Sequence, residues 1–127
     1  AALGLQQTHF ADASGLSAQN VSTARELAAY LQHITEEQPY LLDVSKLERY
    51  VGPYRGWLNN SPVIAVAEYR GGKHGYTEAA NRTFLGMFAE TVSEESLLLG
   101  YVLLGSDDIA ADIRTLRRFI QQEVRYE

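Results

Sequence analysis

The pattern of apolar and polar positions divides the chain into a helical beginning, a strand-rich middle and a helical end. Thr23 and Glu26 have the Thr-x-x-Glu spacing of a capping box, in which each residue satisfies a free backbone N–H at a helix start. The apolar residues that follow are spaced as on one face of a helix: Leu27, Tyr30, Leu31 and Ile34. Gly4 is typical of the position after a helix, so we expect an earlier helix to end there.

In the middle of the chain, the spacing of apolar residues changes from the period of a helix to the shorter period of a strand. Residues 41–44 predict one turn of helix and residues 47–51 a short strand. Gly and Pro then interrupt the pattern at 52–56, and a turn is expected at 59–62. Later apolar or alternating runs, separated by Gly, Asn and Ser, predict strands of a mostly antiparallel sheet over residues 63–69, 73–77, 83–90 and 97–104.

The end of the chain has the clearest helical pattern. Asp107 or Asp108 can cap a helix whose apolar face is formed by Ile109, Ile113, Leu116, Ile120 and Val124. The order of elements predicts an α+β fold in which this long C-terminal helix lies flat on the sheet. We expect a single partial domain over 1–127, with the end of a helical region at 1–38 and the sheet and last helix at 39–127.

Composition excludes several classes of function. Lys and Arg number 11 against 16 Asp and Glu, which gives a net charge of -5 and leaves no basic stripe for a nucleic-acid partner. The absence of cysteine excludes disulfides, thiol catalysis and iron–sulfur clusters. His9, His33 and His74 lack the spacing of familiar zinc sites, so we expect neither a metal nor another cofactor.

Residues 71–77 are a candidate ligand-binding segment. Its sequence, Gly-Gly-Lys-His-Gly-Tyr-Thr, places glycines on both sides of Lys73 within a strand pattern, as where something approaches the backbone closely. One interpretation is a bulged edge strand that carries an exposed lysine. The other is a strand edge whose lysine and backbone N–H groups hold an anionic ligand. The spacing of a phosphate-binding Walker loop is absent.

The same segment resembles the Lys-Thr-Gly motif of the low-molecular-mass penicillin-binding proteins, the serine D-alanyl-D-alanine carboxypeptidases. The match extends over residues 73–80, Lys-His-Gly-Tyr-Thr-Glu-Ala-Ala. Independently, Leu-Gly-Leu at 3–5, Thr-His-Phe at 8–10, Ser-Gly-Leu at 14–16 and Ser-Thr-Ala-Arg-Glu-Leu at 22–27 resemble the family pattern LGM…THF…GL…STARDL. The resemblance implies the C-terminal portion of the penicillin-binding, β-lactamase-like transpeptidase fold.

The other two motifs of the family, Ser-x-x-Lys and Ser-x-Asn, do not occur in this sequence. None of the eight serines begins either motif. Both motifs precede the matched region in the family, so we expect this chain to be the C-terminal part of a longer enzyme. Without the nucleophilic serine, it should be inactive on its own.

The resemblance assigns roles to five residues. Lys73 would supply positive charge near the catalytic serines and the substrate carboxylate, and the Tyr76 backbone N–H would be an oxyanion-hole donor. His74, Gly75 and Thr77 would bind substrate. His74 departs from the family, which has Thr or Ser there to bind the terminal carboxylate. We expect its imidazole to contact that carboxylate still.

The implied partners are peptidoglycan stem peptides, β-lactams and the N-terminal half of the same protein. The implied location is periplasmic or otherwise extracytoplasmic, with any membrane association through segments outside this chain. Carboxypeptidase and endopeptidase activity both fit. A non-catalytic muropeptide-binding or assembly module is the alternative function, and an unrelated α+β domain with a fortuitous match is the third interpretation.

Overall fold

The computed structural model describes residues 3–125 and contains two helical layers around an antiparallel sheet. The helices are α1 (Ala24–Glu37), α2 (Tyr40–Ser45) and α3 (Ile109–Glu123). The strands are β1 (Arg49–Val51), β2 (Gly56–Leu58), β3 (Tyr69–Thr77), β4 (Asn81–Val92) and β5 (Glu95–Ser106). Strands β1 and β2 form a separate hairpin, and the main sheet has the order β3-β4-β5. The predicted α+β class with a C-terminal helix on an antiparallel sheet is confirmed.

The main sheet carries a different apolar cluster on each face. On one face, Leu31 of α1 and Leu42 of α2 pack against Met87. On the other face, α3 contributes Ile109 and Ile113 to a larger cluster. The remaining buried members of that cluster are Val63, Tyr69, Phe84, Phe88 and Tyr101. Successive residues of a strand point to opposite faces, so each strand residue can be assigned to the α1/α2 face or the α3 face.

The helix starts were predicted correctly in position, with one difference in detail. Thr23 caps α1 by accepting a hydrogen bond from the backbone N–H of Glu26, as expected. The Glu26 carboxylate, however, accepts hydrogen bonds from Gln6, Gln7 and Thr8, which tie the preceding loop to the helix. Gly4 has a φ of +67°, and the helix expected to end there would lie outside the described residues, so that expectation stays a prediction.

Two strand predictions need correction. Residues 63–69 were expected to be a strand, but residues 62–65 and 67–68 form turns, and the strand begins only at Tyr69. Strand β2 was not predicted, because Gly52 and Gly56 were interpreted as breaks. They belong to a hairpin in which the Gly52 N–H donates to Arg55 O at 2.8 Å.

Helix α3 covers the sheet mainly with its first half. Asp108 is its cap, since its carboxylate accepts from the Ala111 N–H at 3.0 Å. Ile109 and Ile113 are buried and Ile120 packs beside them. The predicted apolar face is therefore too long, because Leu116 remains 37% and Val124 36% exposed.

A buried charge network holds the middle of α3 against β4. Glu90 has a fully buried side chain and accepts from Arg117 Nε at 2.5 Å and from Tyr101 Oη at 3.0 Å. Gln121 donates to the second carboxylate oxygen, and Arg117 also pairs with Glu68. Burial, together with the hydrogen bond to Glu90, raises the pKa of Tyr101. Each charged group in this network therefore has a partner.

Candidate substrate-binding edge

Strand β3 lies at an edge of the main sheet and carries the segment singled out from the sequence. The pairing with β4 is irregular between Tyr69 and Gly71, so the strand contains a bulge, as the first of the two interpretations of this segment had it. Helix α2 crosses the beginning of the strand. Gly71 has a φ of +117°, and a Cβ there would overlap the backbone of Leu42. Next to it, the Gly72 N–H donates to Ser45 Oγ at 2.9 Å.

The backbone groups of His74 and Tyr76 point out of the open edge. In an antiparallel pair, successive residues turn their N–H and C=O groups alternately toward and away from the partner strand. The Gly72 N–H points away from β4, because it donates to Ser45, and the register is regular from 71 to 77. His74 and Tyr76 alternate along the strand with the residues that face β4, as Gly72 does, so their backbone N–H and C=O groups also point away from β4. Consistently, His74 O accepts a hydrogen bond from Lys73 Nζ, outside the sheet.

The five predicted site residues lie together on β3, but their side chains divide between the two faces. Lys73 and Gly75 pair with Leu85 and Thr83 on the α1/α2 face. His74 pairs with Phe84, a member of the cluster on the α3 face. A ligand beside the edge could reach both faces, whereas a ligand above one face could not.

Thr77 has a structural role within the chain, whereas no internal contact requires a glycine at position 75. A Cβ at Gly75 would meet only Thr83 Oγ1, at an ordinary 3.6 Å, so no internal contact requires glycine there. This leaves clearance beside the open edge. The Thr77 hydroxyl accepts from the Ala80 N–H at 3.1 Å and so stabilises the turn between β3 and β4.

An open depression of about 340 Å³ lies on the α3 side of this edge. Its lining residues are Pro62, His74, Gly75, Tyr76, Arg82, Asp107, Asp108 and Ile109. Burial, and then the positive charge of Lys73, lower the pKa of His74. The imidazole is therefore a neutral donor and acceptor near neutral pH.

Sequence reasoning missed Arg82, which lies opposite Tyr76 in the register of β3 and β4. Its guanidinium carbon is 5.5 Å from the centre of the Tyr76 ring, and Nη1 donates to Asp107 O at 3.1 Å. In the sequence, Arg82 is an isolated charge after a turn. Only the pairing of Tyr76 with residue 82 could have indicated its place beside the motif.

A sheet between helices, with a Lys-x-Gly motif on the edge strand, is the arrangement that the sequence resemblance implied for the penicillin-binding serine peptidases. The family model of peptidase S11, described as D-alanyl-D-alanine carboxypeptidase, matches residues 1–107. The chain therefore belongs to the peptidase S11 family, as the sequence resemblance indicated.

A known structure has the same fold. The crystal structure of an evolved penicillin-binding protein homolog from Mycobacterium tuberculosis superposes with a TM-score of 0.71 at 21% sequence identity. The superposition covers 99% of this chain and 52% of that protein, so this chain spans about half the length of its structural relative. A search of the curated proteins finds no match. Within residues 3–125, no helix has both the length and the apolarity needed to cross a membrane.

Proposed function

We propose that this chain is the C-terminal part of a serine D-alanyl-D-alanine carboxypeptidase, or of a related endopeptidase, that acts on peptidoglycan stem peptides through an acyl-enzyme. Family membership supports the reaction type. The absence of Ser-x-x-Lys and Ser-x-Asn from the sequence supports a nucleophile outside this chain. This chain alone is then inactive, and the intact protein works outside the cytoplasm, where peptidoglycan lies.

The observation that carries the proposal is the open edge of β3 with its outward backbone groups at His74 and Tyr76. An extended peptide can pair with such an edge as an additional strand. The Tyr76 N–H would then donate to the carbonyl oxygen under attack. A preorganised donor of this kind lowers the barrier by about 3–4 kcal/mol.

The side chains around this edge complete the proposed roles. The exposed Lys73 supplies positive charge for the catalytic serines and for the substrate carboxylate. Gly75 leaves room for the substrate backbone. His74 offers an imidazole N–H to the carboxylate in place of the family's hydroxyl, and Thr77 lies at the end of the same strand.

A non-catalytic muropeptide-binding module is the second candidate. The observation that favours it is His74, which stands where the family's carboxylate-binding hydroxyl would be. Such a module would use the same edge of β3 to hold a stem peptide without cleaving it.

The test is the intact mass of the native gene product before and after incubation with benzylpenicillin. We expect a chain heavier than 14.2 kDa that gains one penicilloyl group. The heat-denatured protein is the control, since it should gain none. A 14.2 kDa product without an adduct would contradict the enzyme proposal and favour the binding module.

A further inference from the structure

The end of helix α2 occupies the edge of β3 at the beginning of the strand. The Gly72 N–H, which points away from β4, donates to Ser45 Oγ at 2.9 Å. One residue earlier, Gly71 passes so close to α2 that a Cβ would overlap the backbone of Leu42. The edge of β3 is therefore closed opposite Gly72 by a neighbouring helix.

Ser45 is fixed by further hydrogen bonds on both sides. Its hydroxyl donates its single proton to Leu42 O at 3.1 Å and is thereby oriented to accept from Gly72. Its carbonyl oxygen accepts from Asn59 Nδ2 at 2.8 Å, and the same amide donates to Leu47 O at 3.0 Å. Leu42 itself is buried in the cluster on the α1/α2 face. A ligand strand could displace the end of α2 only by breaking these contacts.

The part of the edge that remains open is short. After Gly72, the outward backbone groups belong to His74 and Tyr76, and the strand ends at Thr77. An added antiparallel strand forms its hydrogen bonds with every second residue of its neighbour. A ligand can therefore pair opposite His74 and Tyr76, but a ligand residue two positions further would meet Ser45 and an N–H that is already bonded.

The closed end of the edge lies on the leaving-group side of the proposed substrate. A peptide that is antiparallel to β3 runs with its carboxyl end toward α2. If the carbonyl under attack lies opposite Tyr76, the first residue after the scissile bond lies opposite Gly75 and the second opposite His74. The fourth would lie opposite Gly72. A leaving group of one or two residues therefore fits, whereas one of four residues collides with α2.

We propose that Ser45 limits the length of the leaving group, because its hydroxyl fixes α2 as a stop at the beginning of β3. Ser45 is a positioning residue, since it acts through Gly72 and α2 and does not touch the reacting atoms. This proposal rests on the proposed function and goes further, because it favours removal of a short end over cleavage within a continuous peptide.

The experiment compares two substrates of the native gene product, N-acetyl-D-alanyl-D-alanine and the same peptide extended by three glycines. Their leaving groups have one and four residues, and mass spectrometry measures the released product. The wild type should have a kcat/KM at least about tenfold lower for the longer substrate, because a hydrogen bond must break to admit it. Ser45→Ala should raise the ratio of longer to shorter about fivefold, since that bond no longer holds α2. Ser45→Thr keeps the hydroxyl and should keep the wild-type ratio.

Ser96→Ala is the matched control, because it removes a hydroxyl from an exposed position on β5 and should keep the ratio. Adduct formation with benzylpenicillin is the second readout, since it shows an intact nucleophile without placing a peptide leaving group on the edge. Ser45→Cys, which has nearly the same size but a weaker acceptor, replaces Ser45→Ala if that variant forms no adduct.

The two readouts separate this proposal from the proposed function. A wild-type ratio near one would overturn the role of Ser45 and leave the enzyme proposal standing. The same conclusion would follow from an unchanged ratio in a Ser45 variant that lacks the hydroxyl and still forms the adduct. A wild type that forms no penicilloyl adduct would instead overturn the proposed function, and the length limit with it.

Discussion

At the scale of single residues, His74 combines an unusual position in the motif with a perturbed environment. Its side chain lies on the α3 face, half-buried against the depression, while its carbonyl oxygen faces the open edge and binds Lys73. Burial disfavours the charged imidazole, and the nearby lysine adds to this effect. Folding is therefore coupled to the protonation state of His74.

This coupling predicts a pH dependence of stability. Because the pKa of His74 is lowered from 6.5 in the folded chain, the unfolded chain binds the proton more readily. Stability should therefore fall as the pH drops below about 6.5, and His74→Thr should lessen that fall. The measurement is the Tm of both proteins between about pH 5 and about pH 8. The exposed His9 provides a control: an equal effect of His9→Asn would contradict the assignment to His74.

The motif residues were predictable from the sequence, and their surroundings were not. Lys73, Gly75 and Tyr76 follow a spacing that can be recognised along the chain. Arg82 and Asp107 reach the same place through the turn after β3 and through the end of β5, respectively. Such neighbours depend on strand register, which local pattern does not encode.

At the scale of elements, the attachment of α3 to the sheet depends on a buried ion pair as well as on apolar contacts. Glu90 is completely buried between β4 and α3, and Arg117 is only 16% exposed. The Arg117 guanidinium also lies 5.5 Å from the centre of the Phe88 ring. Removing one partner would leave the other charge without compensation in the interior.

Arg117→Met should therefore destabilise the fold by about 3–5 kcal/mol, because the Glu90 carboxylate stays buried without its cation. Denaturant unfolding followed by circular dichroism would measure the free energy of unfolding. Arg118→Met, which changes an exposed neighbour on the same helix, should stay within about 0.5 kcal/mol of the wild type. Similar losses in the two variants would show that the ion pair contributes no special stability.

The corrected elements show where periodicity stops being informative. Residues 63–69 are apolar enough for a strand, but Val63 packs in the core as part of a turn, and Ile64 and Val66 pack beside it. A short apolar run fits a buried strand and a buried turn equally well. The long helices were predictable because each combines a capping residue with several turns of consistent spacing.

At the scale of the whole molecule, α2 and the β1–β2 hairpin expose an apolar surface. Tyr54 is 94% exposed, and Val51 and Leu58 are each 80% exposed. Further exposed apolar residues of this surface are Tyr40, Leu41, Val44, Leu47, Tyr50 and Trp57. Exposed apolar side chains in this number usually mark a contact with another protein surface. This agrees with the expectation that the rest of the proposed enzyme packs against this chain.

The isolated chain should therefore self-associate through this surface. The double variant Val51→Thr and Leu58→Glu should be more monomeric, since it removes apolar area and places a carboxylate opposite Arg49. Sedimentation velocity over a range of concentrations would measure the difference. Thr115→Glu on α3 adds the same charge elsewhere and should not change the association. A wild-type chain that stays monomeric at high concentration would contradict the prediction.

The sequence by itself determined the α+β class, the two long helices with their caps, and the motif on β3. These features depend on residues close together along the chain, whose spacing and capping chemistry act locally. Only the tertiary structure decided that α2 covers the beginning of β3 and that Arg82 stands beside His74. Those outcomes depend on which distant segments pair and in which register, and that choice is made by packing across the whole fold.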